Sequence, residues 1–288
     1  MNRLVTLCAA GLIAGGVLLS GQVQPPEPRK QFGASITGAY EGWFYNPDGS
    51  RAFLVGYYNR NSQQELDIPV GPNNRIEPGG PDMGQPTHFL PGRQWGMFVV
   101  QAPKEFKPTD AFTWTIVANG QSTSIPFRLH ADYVMSPFSE IAVGNTPPTL
   151  RFEAAGKATQ GPLANLAAVG ATLSASVGTS LPINLWAADD MKYTSGTNAP
   201  PSGNRTPVSL RVSKFRGPGA VTFDKTRPEL EKLPTGPAAY NGKAIANAKF
   251  AEAGDYLLHV IVNDYSGDGG GGFGCCWTTA LVKVGVKP

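Results

Sequence analysis

Histidine and cysteine are scarce in this chain, with three of each among 288 residues. His88, His130 and His259 show no paired spacing, which argues against a zinc centre, and no Cys-x-x-Cys is present to act as a dithiol redox pair. No Ser or Cys sits in a nucleophile motif, so acyl-transfer chemistry has no signature. Charge is thin as well: Asp, Glu, Lys and Arg make up 16% of residues, and the formal net charge is +3. Lys and Arg are scattered singly without a basic stripe, so nothing in the charge pattern points to nucleic acid. Periodic runs of helix formers are missing, and no long apolar stretch follows the first twenty residues.

What is abundant is turn chemistry. Gly 35 and Pro 26 punctuate short β-branched and aromatic runs. That combination predicts an all-β sandwich or barrel. A chain this long can bury a sizeable core without disulfide support.

The N-terminus has a short basic start, Met1-Asn2-Arg3, an uncharged run from Leu4 to Leu19, then Ser20-Gly21-Gln22. This reads as a secretory signal peptide over residues 1–22, too short for a bilayer-spanning helix. Cys8 lies too early in the run to serve as a lipoprotein cysteine. The mature chain is expected to be exported (periplasmic, cell-surface or secreted), with no transmembrane segment.

Residues 23–35 are expected to form a mobile Pro-rich leader. Strands are expected over 39–45 and 52–58, joined by Asn46-Pro47-Asp48-Gly49-Ser50, then over 95–101. A second hairpin, 112–118 and 122–129, turns through Asn119-Gly120. Asn145-Thr146-Pro147-Pro148 reads as a linker. A second set of strands is expected near 150–154, 171–177, 181–187, 208–212, 220–223, 246–250, 256–262 and 278–286.

Ala253-Gly254-Asp255-Tyr256-Leu257-Leu258-His259-Val260-Ile261-Val262-Asn263-Asp264 resembles the penultimate strand of polycystic-kidney-disease-type (PKD) and related bacterial Ig-like repeats. Ala175 to Leu185 resembles the opening of such repeats, and Trp186-Ala187-Ala188-Asp189-Asp190 resembles a strand end in them. The resemblance spans about residues 148–287 and departs from the pattern in a Pro-rich insertion around 194–207 and a Gly-rich loop near the end. It implies an Ig-like (PKD-like) sandwich over 148–288 and no catalytic residues; with the strands read in the first half, two Ig-like (PKD-like) antiparallel β-sandwich domains are expected, 36–140 and 148–288. Through Gly71-Pro72-Asn73-Asn74 the first half resembles uncharacterised exported bacterial proteins, which brings no activity.

Four constellations are candidates for function. Ile68 to Gln94 is a long connection without a periodic run, expected as an ordered loop pinned by Ile76, Phe89, Leu90 and Trp95. Its Asn73, Asn74, Arg75, Glu77, Asp82, His88 and Arg93, with Trp95, are candidate ligand-binding residues. Hydrogen bonding of the loop's own backbone is the competing use. Asp189, Asp190, Asp264 and Asp268 are a candidate calcium set, although the spacing matches no EF-hand. Cys275-Cys276 is a candidate vicinal disulfide in an oxidising compartment. Trp43, Tyr45, Tyr57, Tyr58 and Trp95 could stack on sugars or fill the core.

The leading reading is a non-enzymatic exported protein that binds another envelope or extracellular component, as a protein-interaction or structural module. The alternative is a carbohydrate-binding accessory protein using Trp43 or Trp95 on a polysaccharide. A hydrolase with Glu77 or Asp82 and His88 as acid and base stands third. No cofactor other than calcium is expected.

Overall fold

The computed structural model describes residues 29–140, 144–162, 169–192, 206–264 and 275–288. The expected signal peptide, most of the Pro-rich insertion and the Gly-rich loop carrying Asp268 lie outside the described residues. In the first half the strands are β1 Ile36–Tyr45, β2 Arg51–Asn59, β3 Leu66–Asp67, β4 Asn74–Glu77, β5 His88–Phe89, β6 Gly92–Gln101, β7 Phe112–Ala118 and β8 Gln121–Phe127. The second half contributes β9 Thr149–Arg151, β10 Val169–Ser176, β11 Leu181–Asp189, β12 Val208–Arg216 and β13 Val221–Phe223. It continues with β14 Glu231–Lys232, β15 Tyr240–Phe250, β16 Gly254–Asp264 and β17 Trp277–Lys287. The one helical piece among the described residues is a 3-10 turn, Ala131–Tyr133. None is long and apolar enough to cross a membrane.

The chain is an all-β sandwich fold. Antiparallel sheets β1-β2-β6 and β4-β7-β8 make up the first half, with a small β3-β5 pair beside them. The second half stacks β10-β17-β16-β12 against β13-β15-β11-β9, with β14 beside β15. All these pairings are antiparallel except β10 with β17. Local chemistry sets the hairpins. Asn119 (φ +51°) and Gly120 (φ +74°) give the β7–β8 turn the two positive φ angles that suit the strand twist.

Strand alternation then sorts side chains into cores. Phe53, Val55 and Tyr57 of β2 enter one core, whereas Ala52 and Leu54 enter another on the opposite face. Trp43 and Phe44 part in the same way. Phe53 meets Phe106, Phe112 and Phe127 edge-on, with centroids 5.2–5.9 Å apart. The second core lies between the two second-half sheets and includes Leu185, Val212, Ala246, Tyr256, Val260 and Val282.

The first core is not confined to the first half, because Phe215 of β12 and Leu281 of β17 belong to it. The outer face of a second-half sheet therefore packs into the first half.

Two local expectations change. The 68–94 segment, read as a loop without strands, supplies β4 to the β4-β7-β8 sheet and β5 to the pair with β3. Residues that alternate over only two to four positions leave no period to detect. Within the Pro-rich leader, Lys30 hydrogen-bonds the backbone of Arg60, and Ala34 is buried against the Asn61 amide.

Candidate functional site

The polar residues of 68–94 divide into three groups. The first serves the segment itself. The Asn74 amide is fully buried; it donates to the carbonyls of Ile68 (3.0 Å) and Pro86 (2.7 Å) and accepts the Trp114 indole N–H (2.9 Å). A side chain so engaged cannot also hold a ligand. The Asn73 carbonyl accepts the Val117 N–H at 2.9 Å, and Arg75 pairs with Glu77 on the surface at 2.8 Å.

The second group faces the other half of the chain. Asp82 receives Arg216 through both terminal nitrogens, at 2.7 and 2.9 Å, and the Arg216 Nε donates to the Gln85 carbonyl at 3.0 Å. These guanidinium bonds hold the Asp82 carboxyl below its usual range. The Thr87 N–H donates to the Phe215 carbonyl at 3.1 Å.

His88 is buried between two carboxylates, with Nδ1 3.0 Å from Asp67 and Nε2 3.3 Å from Glu65. Lys214 reaches the same Asp67 oxygen at 2.8 Å. Burial works against the His88 imidazolium, but its hydrogen bonds to Asp67 and Glu65 outweigh it and raise the pKa. Asp67, Glu65, Lys214 and Arg216 were not legible as partners, since each lies far from its contact or in an unremarkable position.

The third group is displayed. Opposite one another, three adjacent strands lose register: β1 between Tyr40 and Gly42, and β2 with β6 between Val55 and Tyr57. Such bulges re-aim side chains. Glu41, at the β1 irregularity, reaches across Gly56 to accept the Gly96 N–H at 2.9 and 3.0 Å and the Arg93 guanidinium at 2.9 Å. A Cβ at Gly56 would collide with Glu41 Oε1 and the Gln94 carbonyl. Burial raises the Glu41 pKa, opposed by Arg93 and by the Gly96 N–H.

Arg93 also donates to the carbonyls of Gln94 (2.6 Å) and Tyr57 (3.2 Å). So held, its guanidinium lies 3.7 Å from the centre of the Trp95 ring, and Trp95 stays 48% exposed. The arrangement is a flat aromatic surface backed by a fixed cation whose charge Glu41 balances. It can stack and hydrogen-bond. Sequence reasoning missed Glu41, although a lone carboxylate beside Gly42 within an aromatic strand was a usable sign of a bulge.

Among the other aromatics, Trp43 takes the core-filling use rather than the sugar-stacking one. It is buried and donates to the His130 carbonyl at 2.7 Å, so it has no face for a sugar. Tyr57 is buried as well, with its hydroxyl accepting the Leu90 N–H at 2.8 Å. Tyr45 projects outward beside Trp43.

Of the candidate calcium residues, Asp189, Asp190 and Asp264 sit at one end of the second half. Asp190 accepts the Thr146 hydroxyl at 2.9 Å, Asp189 the Met191 N–H at 2.9 Å, and Asp264 the Asn145 amide at 2.6 Å. Among the described residues, no group of three His, Cys, Asp or Glu side chains could hold a metal ion, and Asp268 lies outside them. Thr146, Arg151, Gln160, Asp189 and Asp190 line a cavity of about 370 Å³ there. Cys275 and Cys276 are joined as a vicinal disulfide, both buried, and the Cys276 carbonyl accepts the Asp264 N–H at 3.2 Å.

No family model matches the chain, and no curated protein does. Among solved structures, domains 4 and 5 of the S-layer protein SbsC are 9% identical, covering 88% of this chain and 98% of that one, with a TM-score of 0.23. A protein of unknown function from Porphyromonas gingivalis W83 is 8% identical, covering 88% and 100%, also at 0.23. An endo-fucoidan hydrolase of glycoside hydrolase family 107 is 12% identical, covering 90% of this chain and 27% of its own, at 0.23. Similarity at this level carries no functional argument.

Proposed function

We propose that this chain is a non-enzymatic, exported β-sandwich protein that binds another envelope or extracellular component. The contact surface is the displayed Trp95 with Arg93 beneath it. One observation carries the reading: Trp95 is half exposed on a guanidinium that is itself locked in place, while the other polar groups of 68–94 mostly serve the fold. A rigid aromatic with a fixed cation is the kind of anchor that supplies binding energy at small loss of entropy. Export follows from the signal peptide read over 1–22.

The hydrolase alternative is weakened because each of its three candidates is already engaged with a partner of its own. His88 bonds Asp67 and Glu65, Asp82 bonds Arg216, and Glu77 bonds Arg75. Carbohydrate binding remains the second reading, favoured by the exposed indole face of Trp95.

The test is a pull-down with residues 23–288 from envelope and secreted fractions, beside Trp95→Ala. A defined protein recovered by the parent and lost in the variant, at unchanged melting temperature, supports the proposal. Glycan enriched without protein moves the weight to the carbohydrate reading. Equal recovery by both proteins would overturn the assignment to Trp95.

A further inference from the structure

The long edge strands of the two halves are protected in different ways. β1 carries Glu41, β6 carries Arg93 at an irregular stretch, and β8 contains Pro126. β12 carries Arg211, Lys214 and Arg216 and is engaged by Thr87. Charges, prolines and bulges of this kind keep an edge from pairing with another chain. β10, Val169-Gly170-Ala171-Thr172-Leu173-Ser174-Ala175-Ser176, has neither charge nor proline. It pairs with β17 on one side, and among the described residues no strand pairs along its other side.

The core is also open there. On the central strand β17 the inward-facing Val282 and Val284 are fully buried. On β10 the inward-facing Ala171, Leu173 and Ala175 are only partly buried, although they pack against the same core. One more strand alongside β10 would cover them.

The strand is close to a palindrome about Leu173. Antiparallel pairing of two copies about a two-fold axis there sets Ala171 opposite Ala175, Thr172 opposite Ser174 and Leu173 opposite itself. Residues directly opposite share a face, so the alanines and leucines fall on the core side and the hydroxyls on the solvent side. Small meets small, and Thr–Ser pairs can hydrogen-bond. A two-fold contact of this kind closes on itself and does not propagate into a fibre.

We propose that β10 is a self-association edge, where a second copy of this chain adds antiparallel about Leu173 and joins the two four-stranded sheets into one of eight strands. The edge shares no residue with the Trp95 surface.

Sedimentation velocity of residues 23–288 over a concentration series tests this. The parent protein doubles in mass as concentration rises. Thr172→Lys, which places a charge on an already exposed position, holds it at the monomer mass and melts at the temperature of the dilute, monomeric parent. Ser122→Lys, an equally exposed change on β8, leaves the dimer intact. For register, an equimolar mixture of Thr172→Cys and Ser174→Cys proteins gives a disulfide-linked heterodimer on air oxidation, well beyond the statistical share that random pairing alone would give. A parent that stays monomeric throughout, equal effects of the two lysines, or heterodimer at no more than its statistical share would each overturn the proposal. A monomeric parent would leave the Trp95 reading untouched.

Discussion

Arg216 holds Asp82 in a two-point grip, 2.7 and 2.9 Å, across 134 positions of sequence. With Phe215 entering the first core next door, this ties the 68–94 segment to β12 and so joins the two halves of the chain.

The grip is partly exposed, which limits its strength. Asp82→Asn or Arg216→Gln should each cost about 1 kcal/mol, a fall of a few degrees in melting temperature by calorimetry. The double variant should cost less than the two singles added together, because each single change already breaks the same pair. Strict additivity would mean that the two side chains act independently.

His259 is fully buried, neither ring nitrogen has a hydrogen-bond partner, and its ring centre lies 5.5 Å from that of Phe215. Burial first, and the nearby Arg211 second, push its pKa from 6.5 down to about 3. Between those values the unfolded chain binds the extra proton. The neutral ring therefore supports the fold fully above pH 6.5, and that support is lost as pH falls towards 3. At pH 5 the loss is about 2 kcal/mol. His259→Leu removes the titration and leaves no polar atom without a partner. Urea unfolding at pH 7 and pH 5 should show the parent losing about 2 kcal/mol more than the variant. His88, whose pKa is raised, acts in the opposite direction in both proteins and cancels from the difference. Equal losses would place the acid sensitivity elsewhere.

Asn74→Ala should be among the most damaging polar substitutions. It strips partners from the Trp114 indole and from two buried carbonyls at once. The expected cost is about 3 kcal/mol, read as a lower urea midpoint at unchanged slope. A cost below about 1 kcal/mol would mean that water replaces the amide.

Gly56→Ala probes the support under Trp95. Its new methyl meets Glu41 Oε1 and the Gln94 carbonyl. Overpacking of this sort costs about 1–3 kcal/mol, and displacing Glu41 frees the Arg93 guanidinium. Both the melting temperature and the partner recovery described for Trp95 should fall. Loss of stability with full recovery would show that Arg93 does not need Glu41 to hold its place.

Much of the strand inventory was legible because it is written locally. Asn46 to Ser50 and Asn119-Gly120 are turn sequences with one favoured geometry, and the flanking runs alternate with period two. The Tyr256–Val262 run lies within β16. The 68–94 segment was legible only as ordered. Its short strands carry no period, and nothing in the sequence separates an asparagine that pins a backbone, Asn74, from one that faces solvent, Asn73.

By itself, then, the sequence determined an all-β chain, most of its strands and the residue types available for contact. Turn preferences and side-chain alternation are properties of neighbouring residues, and folding need not be solved to see them. Tertiary structure alone decided that Phe215 and Leu281 complete the first core, that Trp43 is buried while Trp95 is displayed, that Glu41 lies under Arg93, and that β10 ends a sheet. Each of these depends on which distant strands meet and in what register, and that choice is made by the burial of whole sheet faces rather than by any short stretch of chain.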